Sequence, residues 1–229
     1  MKKLLAVFIF ILTSYIAPAQ LYEIGAFAGG SNAIADAGTD YFIYPNSWVV
    51  GGIAKYNYSS RITFRGTALG AKLIMADRQS DNPYRQERGR SFGNRLIEGV
   101  VGIEFNYKKF SYTRVGFSST PYLFLEAGAA YYQSDYSETT TTGTLTETKD
   151  ITKNIITPVI PIGIGYKFRL ADNLGFGIET SFRYLFRDDI EGFSEDFGNP
   201  NSNDWYVFTG VTFTYVFGRP DCNCDERFF

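Results

Sequence analysis

The segment Trp205-Tyr-Val-Phe-Thr-Gly-Val-Thr-Phe-Thr-Tyr-Val-Phe217 decides the fold class. Its alternate positions Trp205, Val207, Thr209, Val211, Phe213, Tyr215 and Phe217 are apolar, aromatic or threonine. The intervening Tyr206, Phe208, Gly210, Thr212, Thr214 and Val216 form a face that is smaller and more polar at its centre. A period of two sustained over this length specifies a long β-strand. Aromatic residues near both ends of the bulkier face are what a lipid-facing barrel strand carries at the two membrane interfaces. The segment therefore reads as the closing strand of an outer-membrane barrel.

Seven further strands precede it: Leu21–Gly29, Trp48–Tyr58, Arg61–Met75, Leu96–Lys108, Tyr122–Tyr132, Ile155–Phe168 and Leu174–Arg187. Short turns are expected at Asn57-Tyr-Ser-Ser60 and Ala171-Asp-Asn173, with an intermediate connection over 110–120. The other connections, after strands one, three, five and seven, are long and polar, among them Asp77–Ser91, the threonine-rich Ser134–Lys153 and Asp188–Asp204. An even number of strands joined by alternating short and long connections is the outer-membrane pattern, with the short turns and both mature termini expected in the periplasm. The fold expected is all-β: an eight-stranded antiparallel transmembrane outer-membrane β-barrel with a charged, plugged lumen.

The front end agrees with export. Lys2 and Lys3 precede an apolar run over Leu4–Leu12, and Ala17-Pro-Ala19 offers the small residues of a cleavage site. The domain reading is a signal peptide over 1–19, a barrel over 20–217, and a periplasmic tail over 218–229. Beyond the signal, 20 basic residues face 24 acidic ones, without the clustered basic charge that nucleic acid requires. Aromatic content is 17%, and the 23 glycines fall largely within strands.

The strand faces suggest what fills the barrel. In the seventh strand Leu174, Phe176, Ile178, Thr180, Phe182, Tyr184 and Phe186 oppose Gly175, Gly177, Glu179, Ser181, Arg183 and Leu185. In the sixth, Ile160, Ile162, Ile164, Tyr166 and Phe168 oppose Val159, Pro161, Gly163, Gly165 and Lys167. The second faces are rich in glycine and single charges, which suits a narrow lumen with room for side chains and no open channel. Extending this to every strand places Glu23, Glu98, Glu104, Glu126 and Glu179 inside with Lys55, Arg65, Lys167 and Arg183. Such charges are expensive in a dry interior unless paired, so a salt-bridged plug is expected.

The chemistry is as informative for what it lacks. There is no histidine, which removes Ser-His-Asp and Cys-His catalysis and imidazole metal sites. No catalytic, metal or cofactor-binding residues are assigned, and the chain reads as non-enzymatic. Gly163-Ile-Gly165 and Gly175-Phe-Gly177 lie inside strands with no following helix to hold a phosphate, so they read as space for lumen side chains. The acidic run Asp188, Asp189, Glu191, Glu195, Asp196 lacks the spacing of a calcium loop and reads as solvated. Cys222 and Cys224, in the tail, are one residue apart. A mutual disulfide there is strained, and an oxidising compartment disfavours free thiols. Three readings stand: an intermolecular disulfide to a periplasmic partner, a strained local bridge, or inert thiols.

The ordered set of motifs resembles a family. Tyr22-Glu-Ile-Gly-Ala-Phe-Ala-Gly-Gly-Ser-Asn32, Glu104-Phe-Asn106, Pro121-Tyr122, Pro161-Ile-Gly163 with Gly165 and Lys167, Asn203-Asp-Trp-Tyr206 and the terminal C-x-C are similar to the PorG-like barrels of Bacteroidota. One departure is Ala35-Asp36, where a glycine is expected before the aspartate. The resemblance implies an outer-membrane component of the type IX secretion apparatus, linked in some members to gliding motility. It implies association with a periplasmic ring built from a lipoprotein and its partner. The alternatives are an adhesive barrel whose external loops bind a ligand, and a narrow pore.

Overall fold

Alternation through most of the wall leaves one apolar and one mixed face, and a sheet of this kind hides both edges only by closing on itself. The computed structural model describes residues 21–34, 43–76, 91–112, 117–142, 145–186 and 205–217. Its strands are β1 (Leu21–Ile34), β2 (Ser47–Asn57), β3 (Ile62–Ala76), β4 (Ser91–Asn106), β5 (Ser119–Thr142), β6 (Leu145–Ala171), β7 (Leu174–Leu185) and β8 (Trp205–Phe217). They pair in chain order as a closed antiparallel barrel. The seam joins β1 to β8 from Tyr22↔Phe217 to Ile34↔Trp205. Closure gives every wall strand two partners, which a bilayer requires because no water is present to satisfy exposed backbone.

The wall is inside-out relative to a water-soluble fold. Ile97, Val101 and Ile156 project outward and are 64%, 69% and 69% exposed, whereas Glu98 and Glu104 on the opposite face of β4 are 1% and 0% exposed. At the short-turn end the outer rings touch across consecutive strands: Phe217 with Tyr22, Tyr22 with Tyr56, and Tyr56 with Phe64. At the other end Tyr184 packs against Trp205 with ring centroids 4.9 Å apart, and Trp48 is exposed. These are the two aromatic girdles of a membrane barrel. A strand of 13 residues such as β8, at ~3.4 Å per residue and tilted ~40°, covers about 30 Å, the thickness of a bilayer core.

Two short turns fall where expected. Ser59 accepts the amide of Ile62 on its hydroxyl and donates its own amide to the Ile62 carbonyl, closing β2 onto β3. Asp172 and Asn173 alone join β6 to β7. Several boundaries differ from expectation, and β4 begins at Ser91, five residues before Leu96, because β3 pairs with it as far as Ala76↔Ser91. β1 continues past Gly29 because Gly30 to Ile34 are paired with β8, and backbone partners sustain a strand that its small, polar side chains do not announce.

The larger correction concerns Ser134–Lys153. This segment is a β-ribbon, paired from Ser134↔Lys153 to Thr142↔Leu145, and not a polar loop. It stands clear of the wall, since β4 leaves β5 after Arg95↔Gln133 and β7 reaches β6 only at Val159↔Leu185. The absence of an apolar face suggests a loop. A hairpin held by its own ladder needs no such face, and runs of β-branched threonine favour extended backbone.

Candidate functional site

Inward-facing side chains from all eight strands fill the lumen, and the nine charged residues read from the strand faces are all buried. They separate into three groups. The largest takes one residue from each of six strands: Lys55 (β2), Arg65 (β3), Glu104 (β4), Glu126 (β5), Lys167 (β6) and Glu179 (β7). Glu104 sits where three cations meet. Lys55 Nζ donates to it at 2.7 Å, Lys167 Nζ donates to its other oxygen, and Arg65 Nη1 stands 3.6 Å away. Arg65 in turn grips Glu179 through both Nη atoms at 3.2 Å each, the two-pronged geometry that carboxylates accept best. Its Nε lies 3.1 Å from Glu126 Oε1 but is not aligned as a hydrogen bond. The Thr67 hydroxyl donates to that same oxygen at 2.7 Å.

Three acids against three bases make this cluster neutral. The second group is a pair: Arg183 Nε donates to both oxygens of Glu98, at 3.0 and 3.1 Å. The Tyr206 hydroxyl also donates to Glu98. The third group is Glu23 alone, near the short-turn end, which accepts from Asn57 at 2.6 Å and from the Tyr112 hydroxyl at 3.2 Å. The sequence-level excess of one acid is thus accounted for by a carboxylate held by neutral donors.

Sequence reasoning placed the charges but missed the aromatic residues that complete them. Tyr122 donates to Glu179 at 2.6 Å. The guanidinium of Arg65 lies 4.1 Å from the ring centre of Phe124, and that of Arg183 lies 4.0 Å from that of Phe208. Such stacking strengthens when desolvated. The signal was present, since Tyr122 and Phe124 share the inward alternation of Glu126. Inward glycines make the room. A Cβ on Gly163 would collide with the Phe124 ring, and one on Gly165 with the Tyr122 ring.

Both ends of the network are shut. Toward the long connections Val49, Leu73, Leu96, Tyr132, Val159 and Leu185 pack as an apolar core. At the short-turn end the β4–β5 connection folds into the mouth, burying Phe110 and Tyr112 against Val216. The Phe110 amide donates to the Ser60 carbonyl, and Arg169 donates to the carbonyl of Tyr112, at 3.0 and 2.9 Å. Lys167 Nζ stands 4.8 Å from the Phe110 ring centre. Burial, with the Glu23 carboxylate beside it, pushes the Tyr112 phenol well above its ordinary range. This inner stopper was read only as a connection. The signal available was the alternation of Phe110 and Tyr112 after two lysines.

Cys222, Cys224, residues 1–19, expected to form a signal peptide, and the acidic run from Asp188 to Asp196 lie outside the described residues.

A closed barrel with an apolar exterior and, among the described residues, a charged and filled interior defines an integral outer-membrane protein. More narrowly, the chain belongs to the family described as Domain of unknown function (DUF6089), whose model matches residues 2–226. No curated protein matches it. Among solved structures it is similar to the attachment invasion locus protein Ail of Yersinia pestis in complex with the heparin analogue sucrose octasulfate, at 14% identity and TM-score 0.46, covering 87% of this chain and 99% of that one. It is also similar to Neisserial surface protein A, at 10% identity and TM-score 0.47, covering 88% and 98%. A third is a major outer membrane protein of Thermus thermophilus, at 12% identity and TM-score 0.47, covering 87% and 100%.

Proposed function

We propose that this chain is a non-enzymatic outer-membrane component of the type IX secretion apparatus that anchors or positions the periplasmic lipoprotein-containing ring. The observation that carries this reading is the filled lumen. An interior packed by a neutral ion cluster, an apolar core and an inserted connection leaves no path for solute among the described residues, so the protein works through its ends. The ordered motifs resembling PorG-like barrels supply the choice of assembly. The short-turn end and both termini then face the periplasm, and the tail carrying Cys222 and Cys224 is the candidate ring contact, either covalent or through its surface.

Affinity purification of the full chain from membranes, followed by identification of co-purifying proteins, tests the proposal. Recovery of the ring lipoprotein and its partner is expected, together with a secretion defect on deleting the gene. Recovery of neither, with secretion intact, overturns it. Non-reducing gels test the tether separately: a higher-mass species must vanish when both cysteines are replaced.

One observation favours the adhesive alternative. The β5–β6 ribbon projects beyond the wall, and among the described residues no strand pairs with its outer edges. Loss of surface binding with unimpaired secretion on shortening Ser134–Lys153 decides for that reading.

A further inference from the structure

The outward face carries an anomaly on β3 and β4. Lys72 and Arg95 are directly opposite each other in the ladder, on the lipid-facing side. Like charges in a cross-strand pair are destabilising, and among the described residues neither has an acidic partner. The row continues into amides, since Arg95 faces Gln133, which donates to Asn154 at 3.2 Å. On the other flank Trp48 stands next after Val49↔Ala71 and is exposed.

The row has a definite depth. One step toward the barrel centre, the outward residues Val50, Ile97, Tyr131 and Ile156 are all exposed and apolar or aromatic. The polar row therefore marks the upper edge of the hydrocarbon band, at the level of lipid headgroups. Lys72 leans toward the rim: its Cε lies 4.0 Å from where a Cβ on Gly93 would stand, and Gly93 is one step nearer the long-connection end. A long cationic side chain bends this way to carry its charge from hydrocarbon to the interface.

We infer that Lys72 and Arg95 form a binding site for the phosphate of a net-anionic lipid headgroup in the leaflet at the long-connection end. A phosphate between them converts a repulsive pair into two charge-assisted contacts. Guanidinium is suited to take two phosphate oxygens, ammonium supplies a point charge, and Gln133 adds a neutral donor. Trp48 beside the pair suits the same interfacial depth. The inference is independent of the secretion reading and needs only the barrel's place in a membrane.

Trp48 supplies the reporter. The full chain bearing Trp205→Phe, so that Trp48 is not masked, is reconstituted in phosphatidylcholine vesicles with a brominated phosphatidic acid as quencher. Preferential quenching by phosphatidic acid over brominated phosphatidylcholine is expected. The relative affinity should fall about five-fold for each charge removed in Lys72→Gln and Arg95→Gln, as expected for a cation near a charged headgroup surface. Lys72→Arg should keep the preference, and heat-dependent gel mobility verifies that each variant is folded. Equal quenching by the two lipids, or a preference unchanged in the double variant, overturns the site. So does loss of the preference to millimolar inorganic phosphate, which would mark a site for the free ion.

Discussion

Replacing Glu104 by glutamine should be among the most damaging single changes in the lumen. The carboxylate is fully buried and faces Lys55, Lys167 and Arg65. Its loss leaves three cations against Glu126 and Glu179, an uncompensated positive charge in a buried interior. Breaking a buried pair by removing one partner costs about 3–5 kcal/mol, a large fraction of the ~5–15 kcal/mol that typically separates folded from unfolded protein. If net charge is the cause, Lys55→Met added to Glu104→Gln should return most of the loss, since two cations then face two acids. Urea unfolding in lipid vesicles, followed by the fluorescence of Trp48 and Trp205 on the outer surface, measures both variants. The reasoning is refuted if Glu104→Gln costs less than about 1 kcal/mol, the scale of a solvent-exposed pair. It is equally refuted if the double variant is no more stable than the single one.

Gly163→Val should destabilise the barrel by about 1–3 kcal/mol through overpacking, because the new side chain meets Phe124, whose ring stacks on Arg65; the same urea series reads it. Tyr112→Phe removes a donor from Glu23 and should cost about 1–3 kcal/mol. Since the folded pKa of Tyr112 is raised, the contribution of the phenol is complete below about pH 10 and is lost as pH rises through the folded value. The wild type should therefore lose its advantage over Tyr112→Phe in alkali, and an advantage independent of pH contradicts the assignment. Phe110→Ala with Tyr112→Ala opens the short-turn mouth without opening a pore, because the ion cluster and apolar core remain; sustained single-channel currents in planar bilayers would disprove this. Replacing Ser134–Lys153 by a two-residue turn should leave heat-dependent gel mobility unchanged, as among the described residues the ribbon pairs only with itself.

How much of this was legible in the sequence follows from what each feature depends on. Side-chain alternation is a local property of extended backbone, so eight strands, their lipid and lumen faces and the β8 limits could be read directly from residues such as those in Trp205–Phe217. The inward set from Glu23 to Arg183 followed from the same parity, since a register error of one residue would have turned every charge outward. The reach of a strand depends on its partners. β1 continues through Gly30-Ser31-Asn32 because β8 is there to pair with it, and the threonine-rich segment is a ribbon because its two halves pair with each other.

Pairing across the lumen was beyond sequence reading altogether. Arg65 and Glu179 are 114 positions apart, and only closure of the wall at a fixed stagger decides that they meet. The same closure divides nine charges into a neutral cluster of six, a pair, and one acid held by neutral donors. It also brings Phe110 and Tyr112 from a connection into the barrel mouth, and sets Lys72 beside Arg95 at the lipid boundary. Local periodicity determined which side of the wall each residue faces. The three-dimensional register determined what it faces there, because contact across a barrel depends on the stagger of all eight strands at once.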